Sequence, residues 1–231
     1  MHFWPGQLPD PSVRTIEDLR PVLADPDCRV TGPLYSMYRD LALTPGDRRW
    51  LTGHALRYDI TVISPRDLCG EKAKTKGHYH PVNANGTGYP EIYQVIDGCA
   101  HYLLQRQDLS DAVLIRAGEG DLVLVPPFYG HVTINNSPGD LVMANLVSSR
   151  FESEYKYYES RRGAAYYEFS DGEIIPNPRY DHVPALRKAD AGMLLDTDRF
   201  PVGPLYEMIG NDILNFLNRP EKYPSLFSMF P

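Results

Sequence analysis

A chain of 231 residues, 42% of them apolar, is long enough to bury one large core, and 23 Lys+Arg against 30 Asp+Glu leave a net charge of −7. Acidity without a basic run excludes general binding to nucleic acid or to an anionic membrane surface, and no apolar stretch reaches membrane-spanning length. The opening Met1-His2-Phe3-Trp4-Pro5 lacks the pattern of a signal peptide, and Cys28, Cys69 and Cys99 read as reduced thiols, so a soluble cytoplasmic protein is expected.

Residues 1–30 are Pro- and Asp-rich. A helical start at Thr15-Ile16-Glu17-Asp18 runs into Pro21, which predicts a short turn or arm packed on the domain edge. The stretch 31–180 reads as one domain of short β-rich runs. Leu56, Tyr58, Ile60 and Val62 alternate with Arg57, Asp59 and Thr61, as in a strand with one buried face. Further strands are expected at 33–39, 91–96, 100–106, 112–116, 121–125, 130–135, 141–148 and 164–169. Turn residues separate them at Asp97-Gly98, Gly118-Glu119-Gly120 and Ser137-Pro138-Gly139-Asp140. Short strands without intervening helices predict an all-β sandwich or barrel. Residues 181–231 read as an appendage: Leu205, Met208, Ile209, Ile213, Phe216 and Leu217 fall at helical spacing, closed by Pro220.

The chemistry-bearing residues are few. His78-Tyr79-His80 would place two imidazoles on one face of a strand. Glu91 opens the next strand, and Gly120 to Pro127 forms a strand and turn leading to His131. Taken singly, each has an ordinary reading: a hydrogen-bonded surface His, a solvated strand face, a solvated strand end. Together, His78, His80, Glu91 and His131 form a three-imidazole, one-carboxylate set. That set suits one Fe(II), Mn(II), Ni(II) or Zn(II) ion, and not the oxygen-rich preference of calcium or magnesium. His2, His54, His101 and His182 lack such context and read as structural.

These two segments resemble the paired motifs of the cupin superfamily. His-x-His is followed by Glu91 and, after six intervening residues, Gly98; the second motif has Gly120, Pro126, His131 and Asn135. Lys72 and Phe128 stand where that pattern usually has glycine, and ten residues, Pro81 to Pro90, separate His80 from Glu91 and must loop out. The resemblance implies a single cupin barrel, a double-stranded β-helix or jelly roll, with an N-terminal arm and a partly helical C-terminal extension.

A narrower set of strings is similar to the archaeal-type cupin glucose-6-phosphate isomerases: Thr75-Lys76-Gly77-His78-Tyr79-His80, Glu91-Ile92-Tyr93, Val125-Pro126-Pro127 with His131, Asn177-Pro178-Arg179-Tyr180, and Thr61 with Tyr35 upstream. That family resemblance implies a metal-containing homodimer, iron the foremost metal, that interconverts glucose 6-phosphate and fructose 6-phosphate. It implies Glu91 as ligand and candidate base, with a hydride shift between the carbons as the alternative, and His131 and Tyr93 as further catalytic residues, Tyr93 by hydrogen-bonding sugar hydroxyls. It also implies Tyr35, Thr61, Thr75 and the Gly77 amide as a phosphate cradle, and Tyr155 near the sugar. Lys76 is expected to point away from Thr75 and Gly77 if the strand is regular, and Arg179 to be structural. The family carries a histidine after the last barrel strand; the segment Phe151-Glu152-Ser153-Glu154-Tyr155-Lys156-Tyr157-Tyr158 has none. Rival readings are an isomerase for another sugar phosphate, an Fe(II)-dependent cupin dioxygenase, and a metabolite-binding cupin without catalysis.

Overall fold

Strands dominate the chain in the computed structural model, which describes residues 3–195, 200 and 203–230; His2 lies outside them. They are β1 (Ser12–Thr15), β2 (Pro33–Tyr38), β3 (Leu56–Ile63), β4 (Asp67–Leu68), β5 (Glu71–Lys72), β6 (Glu91–Asp97), β7 (Ala100–Arg106), β8 (Ala112–Ala117), β9 (Leu122–Val125), β10 (Tyr129–Asn135), β11 (Leu141–Ser148), β12 (Tyr166–Glu168), β13 (Ile174–Pro176) and β14 (Leu186–Asp190). One sheet runs β1-β2-β3-β11-β6-β9 and another β10-β7-β8-β14. The chain passes between them at β6 to β7, at β8 to β9 to β10, and at β10 to β11. That is the antiparallel, two-sheet winding expected of a jelly-roll barrel. Both flanking segments add edge strands: β1 pairs with β2, and β14 joins β8 in parallel.

The alternation in β3 has an unexpected meaning. Its apolar residues Leu56, Tyr58 and Ile60 do not fill the barrel. They face outward and pack with Ile92, Leu124, Val142, Ala144 and Leu146 against the C-terminal tail. The barrel interior receives Arg57, Asp59 and Thr61 from the other face, together with Met143 and Asn145 from β11 and Glu91 and Tyr93 from β6. Both faces of β3 are therefore covered, where one buried face was expected. Farther along the barrel, Ile63, Val95, Val123 and Leu141 close it with Tyr102, Leu104, Val132 and Ile134 of the facing sheet.

Helical pieces sit at the edges. Thr15 caps α1 (Ile16–Leu19) in a reciprocal box with Asp18. A second helix, α2 (Pro45–Gly53), interrupts the run of strands between β2 and β3, contrary to the expectation of none; Thr44 caps it with Asp47, and Pro45 occupies its first turn. A third, α3 (Lys156–Ser160), follows the last barrel strand. The single helix expected in the tail is instead a set of short 3-10 turns, Leu205–Met208 and Asp212–Leu217 among them. Gly210 between them takes φ 100°, which an α-helix does not accommodate. The tail still buries its apolar residues: Leu205, Leu214, Phe216 and Leu217 are fully covered, each contributing about 1.5–3 kcal/mol of burial.

The cysteine reading requires correction. Cys28 and Cys69 form a disulfide across 41 residues, and Cys99 alone is a free, exposed thiol. Their wide spacing concealed this, because the barrel brings the loop after α1 against the turn between β4 and β5. No helix among the described residues is long and apolar enough to cross a membrane.

Candidate metal centre and substrate cavity

Residues 73–80 run beside β10 without forming a regular strand. Thr75 N–H donates to Thr133 O at 2.8 Å, and His78 and His131 exchange backbone hydrogen bonds at 3.2 and 3.0 Å. The kink lies at Gly77, φ 73°, where a Cβ would come within 2.5 Å of Val132 Cγ2 and 3.1 Å of His131 O. Only glycine permits this close approach. Because the segment is irregular, Lys76 is not turned away as expected. It lines the same cavity as Thr75 and Gly77, pairs with Glu159 at 2.7 Å, and lies over the Tyr155 ring.

His78, His80, Glu91 and His131 converge: one ligating atom from each lies within 4.8 Å of the others. Glu91 reaches this point because Pro81 to Pro90 loops out between His80 and β6, closed by a bridge from Val82 to Gly88. The donor set fits a divalent transition-metal ion. Glu91 Oε2 is buried with no hydrogen-bond partner and stands 3.3 Å from Nε2 of both His80 and His131, where a cation would satisfy it. Burial, with His131 and His80 alongside, drives His78 well below the usual imidazole range, and burial also lowers His131. Burial would raise Glu91, but the close approach of His131 and His80 outweighs it and holds the carboxyl well below its ordinary value. Neutral imidazoles and an ionised carboxylate are the forms that bind metal.

The other expected residues lie on the walls of the same cavity: Tyr35, Thr61, Thr75, Gly77, Tyr93 and Tyr155. Thr75 Oγ1 accepts from Thr133 N at 3.0 Å, which leaves its O–H to donate. Tyr35 Oη accepts from Lys76 N at 3.4 Å, and burial pushes its phenol up to about 12. Tyr93 Oη lies 3.0 Å from His131 Nε2, and burial, reinforced by Glu91, keeps its phenol protonated. Tyr155 stands at the mouth, 5.7 Å ring to ring from His78.

Several cavity residues escaped sequence reasoning. Asp59 is buried and accepts from Arg57 at 2.8 Å, Arg39 at 3.3 Å and Asp40 N at 2.8 Å. Burial raises its pKa against the pull of Arg57 and Arg39. Asn145 Nδ2 donates to Glu91 Oε1 at 2.7 Å. A charged residue in mid-strand, opposite Asn145 in the ladder, was the available signal for Asp59. Arg179 is exposed and absent from the cavity; it is Asn177 that ties its segment down, donating to Arg161 O and Ala164 O at 2.9 Å.

Residues 13–185 match the family model described as Glucose-6-phosphate isomerase (GPI). The chain belongs to this family. Among curated glucose-6-phosphate isomerases, that of Thermococcus kodakarensis is 28% identical over 127 residues, covering 54% of this chain and 65% of that protein. That of Thermococcus litoralis is 30% identical over 100 residues, covering 43% and 50%. The chain thus spans less than two thirds of the length of the relatives it matches. Among solved structures, Lactobacillus farciminis oxalate decarboxylase in its formate complex aligns at TM-score 0.39 and 16% identity, over 52% of this chain and 30% of that one, a likeness too slight to carry an argument. As a glucose-6-phosphate isomerase family member the chain has local departures with physical consequences. Phe128, where a glycine is usual, takes φ 70°, the conformation glycine would supply. Phe151, in the segment that lacks the histidine, packs against His80 with ring centroids 4.5 Å apart and planes tilted by 48°.

Proposed function

We propose that this chain is a metal-dependent aldose–ketose isomerase acting on glucose 6-phosphate and fructose 6-phosphate, with His78, His80, Glu91 and His131 holding one divalent ion, Fe(II) foremost. The observation that carries the reading is the adjacency, in one cavity, of these four ligands and the hydroxyl- and amide-lined wall of Tyr35, Thr61, Thr75 and Gly77. A sugar phosphate needs both: donors for the phosphate at one end and a polarising centre for the reacting oxygens at the other.

When bound, the metal would act as a Lewis acid toward the oxygens on C1 and C2. The chain supplies the rest. The Thr61 and Thr75 hydroxyls and the Gly77 amide hold the phosphate, and Lys76, at the same wall, offsets part of its charge. Glu91, ionised and oriented by Asn145, takes the proton from C2 of the open-chain aldose and returns it to C1 through an enediol, while the hydroxyl proton on the C2 oxygen passes to the C1 oxygen. Tyr93 stays protonated and donates its O–H toward the sugar oxygens. The enclosing walls exclude bulk water from the proton in transit.

The reading includes a homodimer, supported by the family resemblance and by β1, which lies at an unpaired edge of the large sheet. It includes a cytoplasmic setting too, against which the Cys28–Cys69 disulfide argues. The decisive experiment is a coupled assay of fructose 6-phosphate conversion on chelator-stripped protein, with Fe(II), Mn(II), Ni(II) or Zn(II) restored, beside H80A. Metal-restored activity in the native chain and none in H80A is expected. Stoichiometric metal binding without turnover sinks the assignment and redirects the search to other sugar phosphates, then to oxygen chemistry.

A further inference from the structure

The loop from Pro81 to Pro90 joins two of the four converging ligands, and its conformation is set from outside the barrel. Asn83 organises it: its side-chain oxygen accepts from Asn85 N and Thr87 N at 2.9 and 3.1 Å, and its backbone N–H donates to Thr87 O at 2.8 Å. Tyr89 N–H closes the turn on Pro81 O, and Tyr89 O lies 2.9 Å from His80 Nδ1. A carbonyl only accepts, so this contact places the His80 proton on Nδ1 and turns the Nε2 lone pair toward the ligand cluster. The tip of the loop is held on both sides. On one side Gly88 packs so closely on Phe128 that a Cβ would sit 2.7 Å from the Phe128 amide nitrogen. On the other, a single carboxylate of the C-terminal tail, Glu221, accepts from Asn83 Nδ2 at 3.0 Å and from Asn85 Nδ2 at 2.7 Å. The tail reaches that point as a strap over the outer face of the large sheet, pinned by Leu205 N to Gln94 Oε1 at 2.7 Å and by Asn218 Nδ2 to His54 O at 2.7 Å.

We infer that Glu221 is a positioning residue for the metal centre: the C-terminal strap clamps the 81–90 loop through Asn83 and Asn85, and the loop fixes the tautomer and aim of His80. This rests on the metal-centre reading for its consequence but not for its geometry, which the loop and strap make without an ion. A sheet-packing role alone would need only the strap's apolar residues. Two amide donors converging on one carboxylate 138 and 136 residues away give the strap a specific hold on the loop.

The test compares the native full-length chain with E221A, with the equal-sized E221Q, and with N85A, taking E173A at an exposed turn as control. In metal-free protein, nitrogen-15 NMR of the histidine rings reads the His80 tautomer. In Co(II)-loaded protein, the visible spectrum and the rate of cobalt loss to EDTA read the centre. The native chain and E173A should show His80 as one Nδ1–H tautomer. E221A should mix the tautomers and release cobalt about ten-fold faster, the lower end of what outer-shell partners of metal ligands confer, with an unchanged thermal midpoint. E221Q and N85A, each leaving one amide contact, should fall between. A single native tautomer and native cobalt loss in E221A overturn the inference. A native chain that binds no cobalt overturns the metal centre instead, and the tautomer of metal-free E221A then decides the clamp by itself.

Discussion

Asn145 on β11 donates its side-chain amide to Glu91 Oε1 on β6 at 2.7 Å, so the carboxylate that faces three imidazoles with one oxygen is gripped through the other. The two strands pair with Asn145 opposite Tyr93, two residues from Glu91, which carries the amide diagonally onto the carboxylate. Replacing Asn145 by Ala should therefore loosen Glu91 without emptying the cluster. Turnover should fall by about 10- to 100-fold with KM changed far less, as for other residues that orient a metal ligand. Steady-state kinetics on protein of measured metal content checks this, and a change confined to KM would place Asn145 in substrate binding instead.

The Asp59 carboxylate is the common partner of Arg39 and Arg57 on the cavity wall, with both guanidinium groups partly exposed to the cavity mouth. Asp59→Asn would leave two cations facing each other with a neutral group between them. Because burial already raises the Asp59 carboxyl against the pull of both arginines, a loss of no more than about 1 kcal/mol is expected, with solvent reaching Arg39 and Arg57. Urea unfolding of the native and substituted chains measures it. A loss of about 3 kcal/mol or more would mean that the buried charge is needed to hold the two arginines in place.

Much of the barrel is legible in the alternation and turn residues, and the candidate ligand cluster in its motif spacing, because both are local patterns. What was not legible depends on which surface covers a strand face. Leu56, Tyr58 and Ile60 look like core, and are, but the core they join lies under the C-terminal strap; Arg57 and Asp59 look solvated and instead line the cavity. Nothing local in β3 distinguishes a face turned to the barrel from one turned to a strap 150 residues downstream. The same limit hid the Cys28–Cys69 pairing. The α2 helix is a different case: Thr44, Pro45 and Asp47 form a capping signature that was there to be read, outweighed by the strand rhythm on either side.

Stability should fall in acid through Asp111. Arg187 grips it with two hydrogen bonds, at 2.8 and 2.6 Å, and Tyr129 donates at 2.7 Å, tying β14 and β10 to the start of β8. Burial would raise its pKa, but Arg187 and Tyr129 prevail and hold it below the ordinary aspartate value. A carboxyl depressed in the folded state contributes fully above its unfolded pKa, and the contribution is lost as pH falls through the folded one. Asp111→Asn should thus cost about 1–2 kcal/mol at neutral pH and nearly nothing at the acid end, flattening the acid limb. Thermal midpoints of both chains across the acid range test the sign; parallel curves would assign the effect to packing.

On the proposed reading, the route of the hydrogen between C1 and C2 turns on Glu91. The carboxylate is ionised and lies in the cavity beside Tyr93, whose protonated phenol is the nearest hydroxyl donor on the same strand face. If Glu91 carries the proton, its carboxyl is free to exchange with solvent during the lifetime of the enediol, and isomerisation in deuterium oxide must leave deuterium on the product carbon. Enclosure slows this exchange without abolishing it, so partial incorporation is expected, rising when Tyr155 at the cavity mouth is cut to Ala and water enters more freely. Proton NMR of product from native and Y155A chains gives both fractions. No deuterium in either product would remove Glu91 as the proton carrier and leave a direct hydride shift between the carbons, with Glu91 only a ligand. Deuterium that rises in Y155A would mean that solvent reaches the base past Tyr155.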